Sequence, residues 1–399
     1  MHRFVFLAFL GALVIGALPL RAQPAAALSD SAQVSLLTML PGEEVYSLFG
    51  HSAFRIADPA LGLDRTYNFG TFDFAQPFFI LRFARGQLDY LLDTAPMAYE
   101  VDKYAFLERP MIEQRLALPP EAARALYAML ETNALPENRA YRYDFFFDNC
   151  STRLLVALDS ALVAAGQPRL SLPTDEPPGT FRTLIAPYIV GDPLLALGIN
   201  LGLGLPTDRE ATPREATFLP VELMQQLDGA TVGGQRLVVQ TDTLVAVPGY
   251  EPAERALPWP LLLTWGLLAL GLAMTVWGRL QKRTGSKAGR RADGLLFAVI
   301  GLAGLLLAFL WFGTEHRVTG PNLNLLWAWP PHLVAARWLH KNTLPQGLRG
   351  YLGVAGLAAL ATALGWVLFP QALPAAALPL VLLVALRALA RAFPPPSTA

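Results

Sequence analysis

DNCSTRLLVALDSALVAAG, Asp148 to Gly166, runs from a polar stretch into an amphipathic helix and holds the only cysteine among 399 residues. Leu154, Leu155, Leu158, Ala161, Leu162 and Ala165 share one face at helical spacing, and Gly166 marks the stop. Asp148 and Asn149 stand where an N-cap belongs. Cys150 therefore falls in the first turn. There the positive end of the helix dipole and the unpaired N–H groups favour a thiolate and can receive an oxyanion. An inert cysteine lies mid-element among apolar neighbours; this one is surrounded by Asp, Asn, Ser, Thr and Arg.

Outward from this helix the chain reads as α+β. YRYDFFFD precedes it as a short aromatic strand, and PPEAARALYAMLETNAL (119–135) is a helix opened by Pro-Pro. QVSLLTML (33–40), SAFRIAD (52–58), RTYNFGTFDF (65–74) and EQRLAL (113–118) have strand character, the middle two joined as a hairpin through ADPALGLD. Beyond 166, helices are expected near 181–205 and 216–229, followed by a strand pair, GQRLVVQT and TLVAVPG. FAQPFFILRFARG (74–86) reads either as a core element or as an interfacial segment touching lipid.

The solvent changes at both ends of this region. MHRFVFLAFLGALVIGALPLRA has the layout of a secretory signal peptide, expected at 1–22, with an uncleaved anchor as the alternative. From Leu257 the chain is membrane-like. LPWPLLLTWGLLALGLAMTVWGRL is long enough to span and carries Trp259 and Trp277 near its ends. The basic loop that follows, with Lys282, Arg283, Lys287, Arg290 and Arg291, lies in the cytoplasm by the positive-inside rule. That rule puts 23–256 outside independently of the signal. Further spans are expected at 294–313, at NLLWAWPPHLVAARWL despite Pro330 and Pro331, at 351–369 and at 375–386. The region 257–399 thus holds four or five spans.

Charge is balanced, with 31 basic and 31 acidic residues, so nothing draws the chain toward nucleic acid. The exported region holds one histidine, His51, in GHSAFRI. One thiol and one imidazole are the minimum for a cysteine nucleophile and its base. A base histidine needs an orienting group on its second nitrogen. If the strand after His51 returns antiparallel, Asn68 is the first polar candidate and Asp73 the next. A lone His and a lone Cys do not fill a zinc site, and no nucleotide-binding glycine motif occurs, so neither metal nor cofactor is expected.

GHSAFRI, TYNFGTFDF, YDFFFDNCSTRL and EHRVTGPNLNLLWAWPPHL resemble the Lnb-type bacterial lipoprotein N-acyltransferases, and the order His then Cys looks like the permuted papain-like, NlpC/P60-related group. The resemblance implies a permuted papain-like periplasmic domain followed by an α-helical transmembrane bundle in the bacterial inner membrane. It implies Cys150 as nucleophile, His51 as base, a membrane phospholipid as acyl donor and a lipoprotein as acceptor. The rival is a membrane-anchored cysteine peptidase or amidase acting on cell-wall peptides with the same pair. Arg153 would contact a phosphate or carboxylate, or cap the local fold. Glu315, His316, Arg317, Asn322 and Asn324 form either a functional group beside the bilayer or a solvated loop.

Overall fold

The computed structural model describes residues 27–72, 76–281 and 286–394. The expected signal peptide, Asp73, Phe74, Lys282 and Arg283 lie outside these residues.

The apolar alternation of the N-terminal region builds one seven-stranded sheet. Its strands are β1 (Gln33–Met39), β2 (His51–Asp58), β3 (Leu63–Thr71), β4 (Asp89–Pro96), β5 (Met111–Leu116), β6 (Ala140–Arg142) and, from late in the chain, β11 (Val238–Val245). The order is β11-β5-β1-β2-β3-β4-β6, with every pairing antiparallel. Two short pairs lie apart from it: β7 (Gly179–Thr180) with β8 (Glu210–Ala211), and β9 (Thr231–Val232) with β10 (Gln235–Arg236). The β2–β3 turn closes through Gly62 at φ +60, while the Asp58 carboxylate accepts from Ala60 and from Ser29.

Because successive strand residues face opposite sides, Leu36 and Leu37 enter different cores. Leu36, Phe54, Ile56 and Tyr67 pack under α3 (Pro120–Ala134) and α4 (Cys150–Ala164). Leu37, Met39, Ala53 and Met111 pack under α2 (Met97–Phe106). Each such buried Leu or Phe contributes about 1.5–3 kcal/mol.

Three expectations are corrected. The helix expected over 181–205 is two, α5 (Phe181–Ile189) and α6 (Pro193–Gly202), because the Asp192 carboxylate caps the second by accepting from Leu194 and Leu195. The helix expected over 216–229 starts later, as α8 (Pro220–Asp228) opened by Pro220, and the short α7 (Pro213–Ala216) precedes it as a separate turn. The expected strand pair over 234–249 does not fold back on itself: QTDT offers no turn residue of the Gly or Pro kind, and the chain continues as β11 beside β5.

Among the described residues of the C-terminal half, three helices are long and apolar enough to cross a membrane: α9 (Trp259–Leu280), α10 (Lys287–Phe312) and α12 (Gln346–Leu364). A shorter helix, α13 (Ala377–Ala392), packs against α9 and α12. NLLWAWPPHLVAARWL is not one helix. It forms a 3-10 turn, Leu323–Leu326, and the five-residue α11 (His332–Ala336), because Pro330 and Pro331 have no N–H to donate. The segment nonetheless runs the length of α10. Gly304 faces Ala328, Gly301 faces Leu333, Gly294 faces Ala336, and Arg290 donates to the His340 carbonyl. The glycines let the two backbones touch, and irregular backbone at membrane depth is tolerated where protein covers it. Near the other end, Arg387 donates to both Asp293 oxygens at 2.7 and 3.0 Å and to Thr275 at 2.6 Å, tying α9, α10 and α13 together.

The two halves are knitted at the outer end of α10. Asn322 and Asn324 donate to the Leu201 carbonyl, and Gln371 bridges Leu203 and Leu323. Asn322 and Asn324 are buried and bonded to backbone, so they are not part of a solvated loop. Glu315, His316 and Arg317 dock the N-terminal domain: Glu315 accepts from Gln87 at 2.6 Å, His316 donates to the Ala84 carbonyl at 3.2 Å, and Arg317 lies 3.7 Å from Asp144.

Candidate active site

Cys150 opens α4, as its polar flank requires. Asn149 is the N-cap: its Oδ1 accepts from the Thr152 N–H at 2.9 Å, and Thr152 Oγ1 accepts from the Asn149 N–H at 2.8 Å. The Asn149 amide also donates to the Phe145 and Phe218 carbonyls, so this side chain is spent on holding the turn. Asp148 pairs with Arg153 through two bonds, 2.7 and 2.8 Å. Asp144 accepts from the N–H groups of Phe146 and Phe147, forming a tight turn that sends three phenylalanines into one cluster. Phe49 joins that cluster 4.7 Å from Phe145. The loop before Cys150 and the loop before His51 therefore share a core.

His51 begins β2 immediately after Gly50, which needs to be glycine: its φ is +79, and a Cβ there would meet the Met39 carbonyl at 2.8 Å. The next residue, Ser52, points its backbone N–H at the Cys150 sulfur, and its Oγ accepts from Ser151 Oγ at 3.1 Å. The thiol also lies 3.8 Å from Ser151 Oγ. Helix and strand are thus stitched together through Ser151 and Ser52, the residues that follow Cys150 and His51.

β3 returns antiparallel beside β2, and His51 Nε2 lies 3.3 Å from Asn68 Oδ1. The amide orientation is fixed from behind, since Asn68 Nδ2 donates to Thr66 Oγ1 at 3.1 Å and Thr66 Oγ1 donates to the Ala95 carbonyl. With Oδ1 facing the ring, Nε2 carries the hydrogen and Nδ1 keeps its lone pair. Burial, reinforced by the nearby Lys103 charge, brings the His51 pKa down to about 4; the Asn68 bond opposes this and Arg109 adds to it.

The expected thiolate is corrected here. Burial pushes the Cys150 thiol up and outweighs the N–H groups of Ser52, Ser151 and Cys150 that favour the anion. Burial thus favours a protonated thiol and a neutral imidazole at neutral pH.

Two side chains that sequence reading passed over line the same place. Gly70, at φ +92, leaves an opening where a Cβ would contact Cys150 Cβ at 3.5 Å, Tyr143 Cε2 at 3.7 Å and Tyr141 Oη at 3.8 Å. The signal was the period-2 spacing of Tyr141 and Tyr143, which puts both rings on one face. From here a row of aromatic rings leads outward: Tyr143 to Tyr90 at 4.0 Å, Tyr90 to Phe72 at 5.4 Å, Phe72 to Phe79 at 6.0 Å and Phe79 to Phe83 at 6.5 Å. It ends on α1 (Phe79–Ala84), which sits beside the outer end of α10. Phe78 and Ile80 there are 79% and 81% exposed, and Leu81 and Phe83 are exposed as well. FFILRF is therefore not core.

Residues 23–186 match the family model of the Lnb N-terminal periplasmic domain, and residues 253–393 match that of the Lnb transmembrane domain. The chain is an Lnb-type protein. No curated protein and no solved structure matches it. Its Lnb domains point to an enzyme of lipoprotein N-acylation, held in the inner membrane with its sheet domain in the periplasm.

Proposed function

We propose that this Lnb-type chain is a lipoprotein N-acyltransferase that works through a Cys150 thioester, with His51 as base and Asn68 as the group orienting it. The observation that carries the reading is the stitching of the Cys150 helix to the His51 strand through Ser52, with Asn68 holding the far ring nitrogen. The order of a histidine on a strand before a cysteine on a helix supports the permuted papain-like arrangement. The domain division is 23–256 outside the membrane and 257–399 within it. The passage of 324–339 along α10 supports five crossings, one of them broken.

In the first half-reaction the Cys150 sulfur attacks the carbonyl carbon of an acyl ester of a membrane phospholipid. The thiol proton passes to His51 Nδ1, and the carbonyl electron pair moves onto oxygen beside the N–H groups at the start of α4. Removing one such donor typically costs about 3 kcal/mol of transition-state stabilisation. Collapse expels the glyceryl oxygen, which takes the proton from His51. In the second half-reaction the α-amino group of a diacylglyceryl-cysteine attacks the thioester. The amide forms, the C–S bond breaks, and the amine proton returns to sulfur through His51. Exposed Phe78, Ile80, Leu81 and Phe83 at bilayer level, and the aromatic row behind them, support a lipid substrate over a cell-wall peptide.

The test is mass spectrometry of lipoprotein N-termini from cells whose N-acylation depends on this gene, fed labelled phospholipid acyl chains. Labelled N-acyl groups in wild type and none in Cys150→Ala are expected. Equal N-acylation in both strains removes Cys150 from the reaction. An unlabelled N-acyl group that appears as an O-acyl group leaves the same lipoprotein would put the donor on the acceptor itself. Peptide cleavage without acyl transfer would establish the amidase.

A further inference from the structure

Tyr141 carries a hydroxyl that none of the observations above uses. Its side chain is only 9% exposed, and its oxygen has no hydrogen-bond partner among the described residues. A buried hydroxyl without a partner is costly, and the group it awaits is usually absent rather than unnecessary. The oxygen faces the opening above Gly70, where Cys150 Cβ bounds the other side.

Everything around the ring holds it there. Its backbone pairs with Tyr90 in β4, and its edge packs on Phe69 at 6.1 Å. The Arg153 guanidinium lies 3.5 Å above its centroid, pinned in turn by the bidentate bond to Asp148. Arg153 thus joins the Asp148 carboxylate to the Tyr141 ring. A cation over the ring withdraws electron density and makes the phenol a stronger donor, while burial and the neighbouring sulfur keep it protonated.

We infer that the Tyr141 hydroxyl donates to the acyl oxygen as Cys150 attacks. The inference rests on the reading of Cys150 as nucleophile. As the S–C bond forms and the carbonyl pair moves to oxygen, Tyr141 O–H donates to that oxygen. It keeps its proton throughout and is released when the carbonyl re-forms. Backbone N–H groups approach from the α4 side and the phenol from the β6 side. Arg153 is a positioning residue acting through Tyr141.

The experiment compares two reactions of the same sulfur in the full-length protein in lipid nanodiscs. One is acylation by p-nitrophenyl butyrate, followed as the nitrophenol burst; the other is alkylation by iodoacetamide, in which no oxyanion develops. Tyr141→Phe is expected to slow the burst by roughly 10²-fold and to leave alkylation unchanged. Arg153→Met is expected to slow the burst by a smaller factor, again without touching alkylation. An unchanged burst in Tyr141→Phe overturns the assignment, as does a parallel fall in both reactions, which would place the hydroxyl's effect on the thiol or on the fold. A wild-type protein with no burst, yet active in lipoprotein N-acylation, would instead refute the Cys150 thioester and this inference with it.

Discussion

The 3.3 Å contact between His51 Nε2 and Asn68 Oδ1 assigns the hydrogen on the imidazole, because Thr66 prevents the Asn68 amide from turning. The other ring nitrogen keeps its lone pair. Asn68→Ala frees the ring to rotate and to take either tautomer. The rate of Cys150 acylation is expected to fall by roughly tenfold to a hundredfold, part of what a general base supplies. Folding should be little changed. Burst kinetics beside a thermal melt measure both, and an unaltered rate would remove Asn68 from the mechanism.

The acid limb of the pH profile follows from the same ring. Burial holds His51 neutral down to about pH 4, and only the neutral ring accepts the thiol proton. kcat/KM is therefore expected to stay level as pH falls through 6.5, the ordinary histidine value, and to drop near 4. Because the Asn68 bond stabilises the charged ring, removing it moves that limb lower still, not higher. A limb near 6.5 would mean that His51 is more solvated than its setting implies.

Gly70 tests the opening beside the thiol. A methyl group there must adopt φ +92 and intrude among Cys150, Tyr143 and Tyr141. Gly70→Ala is expected to cost about 1–3 kcal/mol of stability and to abolish the acylation burst even where the protein remains folded. A fully active, equally stable variant would show that the acyl group enters elsewhere.

The exposed face of α1 makes a prediction about orientation. Since Cys150 is the only cysteine, Phe78→Cys in a Cys150→Ala background takes a single fluorophore. In nanodiscs, lipids carrying a quencher near the headgroup are expected to dim this label. The same label at Val239, on the distant edge strand β11, should not dim. Equal quenching at both positions, or at neither, would detach α1 from the bilayer.

In the membrane half, Gly304 permits the backbone of α10 to meet Ala328. Gly304→Leu inserts a side chain where no space exists and is expected to destabilise the bundle by about 1–3 kcal/mol or more. Gly266→Ala, whose α-carbon has open space around it, is the matched control. Melting in detergent distinguishes them.

The local patterns were legible because they depend on near neighbours. The amphipathic stripe of Leu154 to Ala165, the polar cap before Cys150, the β2–β3 hairpin and the long apolar runs of α9 and α10 all follow from spacing and composition. The breaks at Asp192 and Pro220 were written in the sequence too, as an Asx cap and a proline at a helix start, but the apolar periodicity across them concealed the interruption. NLLWAWPPHLVAARWL misled in the same way. Its hydropathy predicts passage along the membrane, whereas its two prolines decide the backbone, and only the glycine face of α10 makes the irregular path tolerable.

What the amino-acid order determined by itself was a lone thiol at a helix start, a single histidine between residues 23 and 256, and a second half apolar enough to cross a membrane. What only the tertiary structure decided was the burial of that thiol and that ring and the company they keep. The helix dipole is a local property and argues for a thiolate. Desolvation depends on every element packed around the sulfur, and it prevails. Tyr141 likewise comes to the Gly70 opening that Cys150 also borders only because β6 is laid beside β4, pairing Tyr141 with Tyr90 across a separation too long for any periodicity to register.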